Sequence, residues 1–221
     1  MRFIIHELPY ERPLLVGQLR YERDGQPTGT VESWRLSDAA DGYRFLRVDL
    51  DAREGESGRS WLYHVTLNPA GQPEQVRARF WEEGREVNLA AVRQDDEWLA
   101  ARQVDGVAYQ DVARGEAFWF PAGSGLALLR SSAGQTRGVT LLTDTSDPAR
   151  LLALVQTPVS IVLGATTTET VGDETLPVQS LSVAWGQSRR TVWLDNDARP
   201  LRLWREDGLT AAAQRLVRYG G

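Results

Sequence analysis

Short runs of apolar and β-branched residues alternate with turn residues along most of the chain, at intervals of 8 to 15 positions. The clearest run is 61–67, where Trp61 and Tyr63 fall in one phase of the alternation and His64 falls in the other. Period-two alternation predicts a β-strand with one buried face. A stretch with Pro and Gly follows and turns the chain, and a second alternating run at 76–81 predicts the returning strand of a hairpin. The pattern is typical of an antiparallel meander.

The same alternation predicts further strands in both halves of the chain. They lie at residues 14–21, 30–36, 43–50, 87–93, 98–104, 178–185, 191–194 and 201–205. The last segment, 209–219, is ambiguous, because its three alanines favour a helix whereas Leu209 and Val217 fit a strand phase. We expect a strand there.

Two segments in the middle of the chain favour helices. In the first, 148–155, Asp147 is a candidate N-cap, Pro148 stands at the first helical position, and strong helix formers follow. The second is expected to begin near Ser124 and to include residues 126–129. The predicted fold class is therefore mainly β, with a curved antiparallel meander sheet, as a half-barrel or open barrel, and one or two short helices.

The length of 221 residues is compatible with one unit, because all-β barrels and sandwiches often reach this size. Residues 1–221 are therefore expected to form a single β-rich domain. The first residues carry too few consecutive apolar positions for a signal-peptide core, so we expect a cytoplasmic protein. Residues 151–168 are nearly uncharged but contain Thr, Ser, Gln, Gly and Pro, so no membrane span is predicted.

Composition excludes several chemistries. All 25 basic residues are Arg, and without Lys the chain cannot hold a Walker A loop, a protein-kinase site or a Schiff-base site. The absence of Cys removes thiol nucleophiles and cysteine metal sites, and two His residues cannot form a three-His zinc centre. A net charge of −5 with dispersed Arg argues against nucleic acid as a partner. We expect no cofactor and no bound metal.

Eight Trp residues are the least ordinary feature of the chain, and most fall in predicted strands. Large rings often stabilise a sheet core as cross-strand pairs, and they can also line an apolar cavity on a concave sheet. For the second case, the aromatic residues expected to contact a ligand are Trp61, Tyr63, Trp185, Trp193, Trp204, Phe118 and Trp119. Phe118 and Trp119 open a segment that ends in a Gly-Ser-Gly turn, which suits either a lid at a pocket mouth or a buried strand end.

The titratable residues indicate catalysis only weakly. Asp49 and Asp51 lie at strand spacing on one face and could act as paired carboxylates, and His64 could serve as a general base. The acidic stretch 195–197 begins like a calcium loop but lacks the following ligands and the Gly, so a turn is expected. A hydrolase that uses carboxylates or His64 stays open as an alternative, and so does a structural or interaction role with a homo-oligomer.

Residues 181–185 and 191–203 form a strand ending in Leu-Asp, a turn, a Pro and another strand. This pattern, over about a quarter of the chain, resembles the closing meander of the lipoprotein-carrier-like half-barrel superfamily. The resemblance implies a strongly curved antiparallel sheet closed by short helices. It also implies non-enzymatic binding of a hydrophobic ligand, of the lipid or glycolipid class, on a concave sheet. Such carriers normally work outside the cytoplasm, whereas we expect no export signal in this chain.

Overall fold

The structure is a computed structural model that describes residues 9–55 and 57–219. Most of these residues belong to fifteen β-strands, numbered here in chain order. The strands are β1 (Arg12–Arg23), β2 (Gln26–Asp38), β3 (Arg44–Ala52), β4 (Arg59–Leu67), β5 (Pro73–Glu82), β6 (Arg85–Gln94), β7 (Glu97–Val104), β8 (Val107–Arg114), β9 (Ala117–Trp119), β10 (Gly134–Leu141), β11 (Leu154–Val171), β12 (Glu174–Trp185), β13 (Ser188–Leu194), β14 (Pro200–Arg205) and β15 (Leu209–Arg218). The same part of the chain holds one short helix, α1 (Gly123–Ala127), and 3₁₀ turns at Ala40–Gly42, Leu128–Ser131 and Pro148–Arg150.

All fifteen strands belong to one sheet, in the order β8-β7-β6-β5-β4-β3-β2-β1-β15-β14-β13-β12-β11-β10-β9. Every pair of neighbours is antiparallel except β9 and β10, which are parallel. Two meanders, β1 to β8 and β10 to β15, are thus joined by the pairing of β1 with β15. The predicted fold class, a curved antiparallel meander with short helical pieces, is confirmed.

The hairpin turns follow directly from the sequence. Asp24 and Gly25 connect β1 to β2 with φ values of 50° and 75°, and Asp105 and Gly106 connect β7 to β8 with 47° and 87°. Two consecutive residues with positive φ are what a tight type I′ hairpin turn requires, and Asp-Gly is among the pairs that adopt it at least cost. These turns set the register that places alternate residues of each strand on the same face.

One face of the sheet, called the inner face below, carries two apolar clusters. The first cluster lies mainly on β2 to β8 and the second on β1 and β11 to β15. Fully buried members of the first include Val48, Tyr63, Val65, Phe80 and Trp98, and those of the second include Leu19, Leu181, Val192 and Leu203. The opposite face, called the outer face, carries the residues that alternate with these.

Residues 117–131, called the interior segment below, fill the space in front of the inner face. This segment comprises β9, α1 and the 3₁₀ turn after it. Phe118 and Phe120 belong to the first cluster whereas Trp119 belongs to the second, so both faces of β9 are covered. The sheet therefore wraps around a piece of its own chain.

The two ends of the strand order come close together in space. Arg102 on β7 donates from Nε to Asp111 Oδ2 on β8 at 2.9 Å, and from Nη1 to the carbonyl oxygens of Ala149 and Leu151 at 2.6 and 3.1 Å. These carbonyls belong to the loop between β10 and β11, near the other end of the order. Contacts of this kind require the sheet to curl round on itself.

The two helix predictions had different outcomes. The helix expected near Ser124 is present as α1 and the turn Leu128–Ser131. The helix expected at 148–155 is wrong beyond its first turn: Asp147 does cap the backbone N–H of Ala149 at 3.0 Å, but the 3₁₀ turn ends at Arg150 and β11 begins at Leu154. Burial of Leu151 and Leu152 in the core outweighs local helix propensity here.

The sequence pattern did not indicate β8, β10 or β11, and it gave β9 only as one of two interpretations of the segment at Phe118. Of these, β11 is 18 residues long and occupies most of the nearly uncharged stretch at residues 151–168.

Residues 1–8, on which the expected lack of a signal peptide depends, lie outside the described residues. In the part of the chain that the structure describes, no helix has the length and apolar character to cross a bilayer. That residues 1–221 form a single domain stays a prediction.

Candidate ligand sites on the inner face

A buried carboxylate holds the interior segment against the sheet. Glu32, on β2, is fully buried and accepts four hydrogen bonds. Its Oε2 accepts from the Tyr21 hydroxyl at 2.6 Å and the Gly123 N–H at 2.9 Å, and its Oε1 accepts from the N–H and hydroxyl of Ser124 at 2.8 and 2.6 Å. Burial, followed by the charge of Glu32, raises the pKa of the Tyr21 hydroxyl well above its usual value, so Tyr21 stays a hydrogen-bond donor.

A cavity of about 470 Å³, called the mouth cavity below, opens between this segment and one end of the inner face. It lies where β1 and β3 begin, where β2 and β4 end, and beside the loop before β14. Its apolar lining residues include Leu15, Trp34, Leu36, Leu46, Leu67, Ala127 and Leu128. The volume and the apolar lining are in the range found for small-molecule sites.

Positive charge is concentrated at the rim of the mouth cavity. Arg44, Arg130 and Arg199 all line it, with Asp197 as the acidic residue among the lining residues. Arg199 forms a buried ion pair with Asp195, and Nε of Arg44 lies 3.6 Å from Oδ1 of Asp38 in a second ion pair. Arg130 donates instead to the carbonyl oxygens of Asp195 and Asn196 at 2.9 and 3.0 Å, and within the described residues no carboxylate forms an ion pair with it. An apolar cavity thus ends at a rim of three arginines, of which Arg130 has no carboxylate partner among the described residues.

The position of Trp34 in the cavity depends on a glycine. A Cβ atom added to Gly17 on β1 would lie 2.3 Å from Cζ2 of Trp34 on the neighbouring strand, so only Gly allows the indole to lie flat against β1. The buried indole nitrogen of Trp34 has no hydrogen-bond partner in the described part of the protein. The indole nitrogens of Trp98 and Trp119 in the core also have no partner there, so it is the opening to the cavity that makes the Trp34 donor available to a ligand.

Three of the aromatic residues predicted to contact a ligand are core residues. Tyr63 stacks on Phe120 of the interior segment with ring centroids 4.1 Å apart. Phe118 packs on Trp98 at 4.6 Å, and Trp119, fully buried, meets the edge of Trp185 at 5.7 Å. The segment that begins at Phe118 was interpreted either as a lid at a pocket mouth or as a buried strand end, and the structure shows the buried strand end.

The remaining four predicted contact residues divide between the faces. Trp185 and Trp61 lie on the inner face, where Trp61 packs against Phe80 at 5.5 Å. Trp193 lies on the outer face, under the guanidinium of Arg202 at 5.1 Å, and Trp204 is 37% exposed on the same face. The structure therefore does not bring all seven residues together around one cavity. Whether any of them binds a ligand stays a prediction.

The residues considered for catalysis lie on the outer face. Asp51 is bound by Arg53 through two hydrogen bonds of 2.8 and 2.5 Å. His64 packs edge-on against Phe45 at 5.2 Å, and burial together with the charge of Arg47 lowers its pKa to about 4. His64 also lines an open groove of about 570 Å³ on β4 to β8, which has arginines and alanines but no acidic side chain among its lining residues.

Sequence reasoning missed the residues that line the mouth cavity and the charged residues of the inner face. Trp34 was visible only as one of eight tryptophans. Glu32 and Arg190 could have been noticed in the sequence. Each is a charged residue in a position of its strand that alternation assigns to the apolar face. Glu32 lies two residues before Trp34, and Arg190 lies two residues before Val192. Charge in that phase predicts a buried polar contact or a ligand.

No protein-family model matches the chain, and no curated protein matches its sequence. A solved structure shares its fold: the crystal structure of a β-barrel-like protein of a domain of unknown function, DUF1849, from Brucella abortus. The two superpose with a TM-score of 0.54 and 12% sequence identity, over 95% of this chain and 98% of that chain. This chain therefore has a barrel-like β fold, similar along nearly its whole length to that of a protein of unknown function.

Proposed function

We propose that this protein binds an amphipathic ligand without chemical conversion, with a hydrocarbon part in the mouth cavity and an anionic head at its arginine rim. The observation that carries the proposal is the combination of an apolar floor with Arg130, whose charge no described carboxylate balances. A lipid with a carboxylate or phosphate head would bury its chain against Leu36 and Leu46 and place its charge beside Arg130 and Arg44.

The resemblance of the closing meander to lipoprotein-carrier-like half-barrels supports the same class of ligand. A glycolipid, the other ligand considered, would place a neutral sugar at the rim and would make less use of the arginine charge. The cationic rim therefore favours an anionic head over a neutral one. The contact residues proposed are those of the mouth cavity, in place of the tryptophans of the outer face.

The test is a calorimetric titration of the purified protein with dodecanoate and with dodecyl maltoside, both below their micelle concentrations. These probes share a twelve-carbon chain and differ in the head. We expect saturable binding of dodecanoate and weaker binding of the maltoside. No saturable binding of either probe would refute the proposal, and equal affinity would refute the role of the rim.

Two variants locate the site. Ala127→Trp fills the mouth cavity and should abolish binding of dodecanoate, whereas Ala212→Trp, at an exposed position of β15, should leave it unchanged. Arg130→Gln should weaken dodecanoate binding about tenfold, the usual magnitude for one charge-assisted hydrogen bond, with little effect on the maltoside. Arg150→Gln, at an exposed position, is the matched control. Full binding by Ala127→Trp would place the ligand elsewhere.

A further inference from the structure

A second cavity, of about 180 Å³, opens at the opposite end of the inner face and is called the arginine pocket below. It lies where β1 ends and β4 begins, and the interior segment separates it from the mouth cavity. The residues that define it are Tyr21, Arg23, Trp61, Arg190, Arg205 and Leu209.

The arginine pocket is rich in positive charge. Three guanidinium groups line it, and none of its described lining residues is acidic. Asp207, just outside the lining, lies 2.9 Å from Nη2 of Arg205 and 3.5 Å from Nη2 of Arg23, so both of these guanidinium groups have a carboxylate partner. Within the described residues, Arg190 forms no ion pair.

Arg190 makes one hydrogen bond to the described part of the protein. Its Nη1 donates to the carbonyl oxygen of Pro121 at 2.6 Å, and its guanidinium lies 5.2 Å from the ring centroid of Trp185. A guanidinium carries five N–H donors, and a single carbonyl occupies one of them. Burial, and then the charge of Arg205, lower the pKa of Arg190 to about 10, so the group remains charged at neutral pH.

The rest of the pocket suits a small organic body. Leu50 and Leu209 supply apolar wall, and Trp61 presents an indole whose buried N–H has no acceptor in the described part of the chain. Within the described residues, a guanidinium that forms no ion pair and an indole N–H that has no acceptor therefore line the same small space. Both would be satisfied by an oxyanion.

We propose that the arginine pocket binds the carboxylate or phosphate group of a small organic anion, clamped between the guanidinium groups of Arg190 and Arg205. The body of the molecule lies against Trp61 and Leu209. This site does not depend on the mouth cavity, because different residues at the other end of the strands form it.

The test is a titration of the full chain with benzoate and with phenyl phosphate, at constant ionic strength set with chloride. Binding is followed by the indole ¹H–¹⁵N resonance of Trp61, assigned with Trp61→Phe, and by calorimetry. We expect at least one probe to bind saturably and to shift this resonance. The probe that binds more tightly distinguishes a carboxylate ligand from a phosphate ligand. Failure of both probes to bind would overturn the proposal.

The matched variants are Arg190→Gln and Arg189→Gln, neighbours on β13 that face opposite sides of the sheet. Arg190→Gln and Arg205→Gln should each weaken binding about tenfold or more, because each removes charge-assisted hydrogen bonds. Arg189→Gln should change it less than about twofold. The Arg205 variant keeps the contact of Arg190 with Pro121, so it tests the site even if Arg190→Gln lowers stability. Unchanged affinity in both pocket variants, or an equal loss in Arg189→Gln, would overturn the proposal.

Discussion

Replacing Glu32 by Gln removes one of the two oxygen atoms that attach the interior segment to β2. Each oxygen accepts one backbone N–H and one hydroxyl, from Gly123 and Tyr21 at Oε2 and from Ser124 at Oε1. An amide NH₂ placed at either position cannot accept. The hydroxyl there can rotate and accept from the new NH₂ group, but the backbone N–H cannot.

The expected cost follows from this count. One buried backbone N–H loses its acceptor, which costs about 1–3 kcal/mol, and the two remaining hydrogen bonds lose their charge assistance, worth about 1 kcal/mol more. The Gln side chain is easier to bury than a carboxylate, which offsets part of this. We therefore expect Glu32→Gln to lower the free energy of unfolding by about 2–3 kcal/mol.

Urea unfolding followed by tryptophan fluorescence measures this change, because Trp98 and Trp119 are fully buried in the native state. Amide hydrogen exchange adds a local readout: the N–H groups of Gly123 and Ser124 should lose more protection than those of β5. Glu22→Gln, at an exposed position of β1, is the control. A loss below about 0.5 kcal/mol, or the same loss in the control, would refute the view that Glu32 holds the interior segment.

The other predictions concern packing and pH. Gly17→Ala should lower the free energy of unfolding by about 1–3 kcal/mol, because its Cβ would overlap the indole of Trp34, and adding Trp34→Leu should recover part of the loss. Additive losses in urea unfolding would contradict this clash. Burial and the charge of Arg47 hold the pKa of His64 at about 4, so between pH 6.5 and 4 the unfolded chain takes up a proton that the folded chain does not, and stability falls as the pH falls through this window. His64→Gln should flatten the dependence of stability on pH there, and an unchanged slope would show that other groups cause it.

Local pattern was sufficient for most of the sheet. The side-chain period of a strand is two, so alternation alone located β1 to β7 and β12 to β15, including the ambiguous last strand. The turn at Asp24-Gly25 lies between two predicted strands, and its backbone requirement is local. The N-cap predicted at Asp147 was also correct. The helix predicted after it was wrong beyond Arg150, where burial of Leu151 and Leu152 outweighed helix propensity.

Only the tertiary structure decided what the sheet encloses and where its cavities lie. The sequence predicted a curved antiparallel sheet, and the structure shows that residues 117–131 lie within its curve. Glu32 and Ser124 are 92 positions apart, and Arg190 and Pro121 are 69 apart. A sequence period of two or 3.6 residues indicates which face of a strand or helix a residue occupies. It does not indicate which distant residue lies opposite that face, so it cannot predict such pairs. The sites proposed here arise from those long-range contacts: the interior segment fills the middle of the inner face and leaves one cavity at each end.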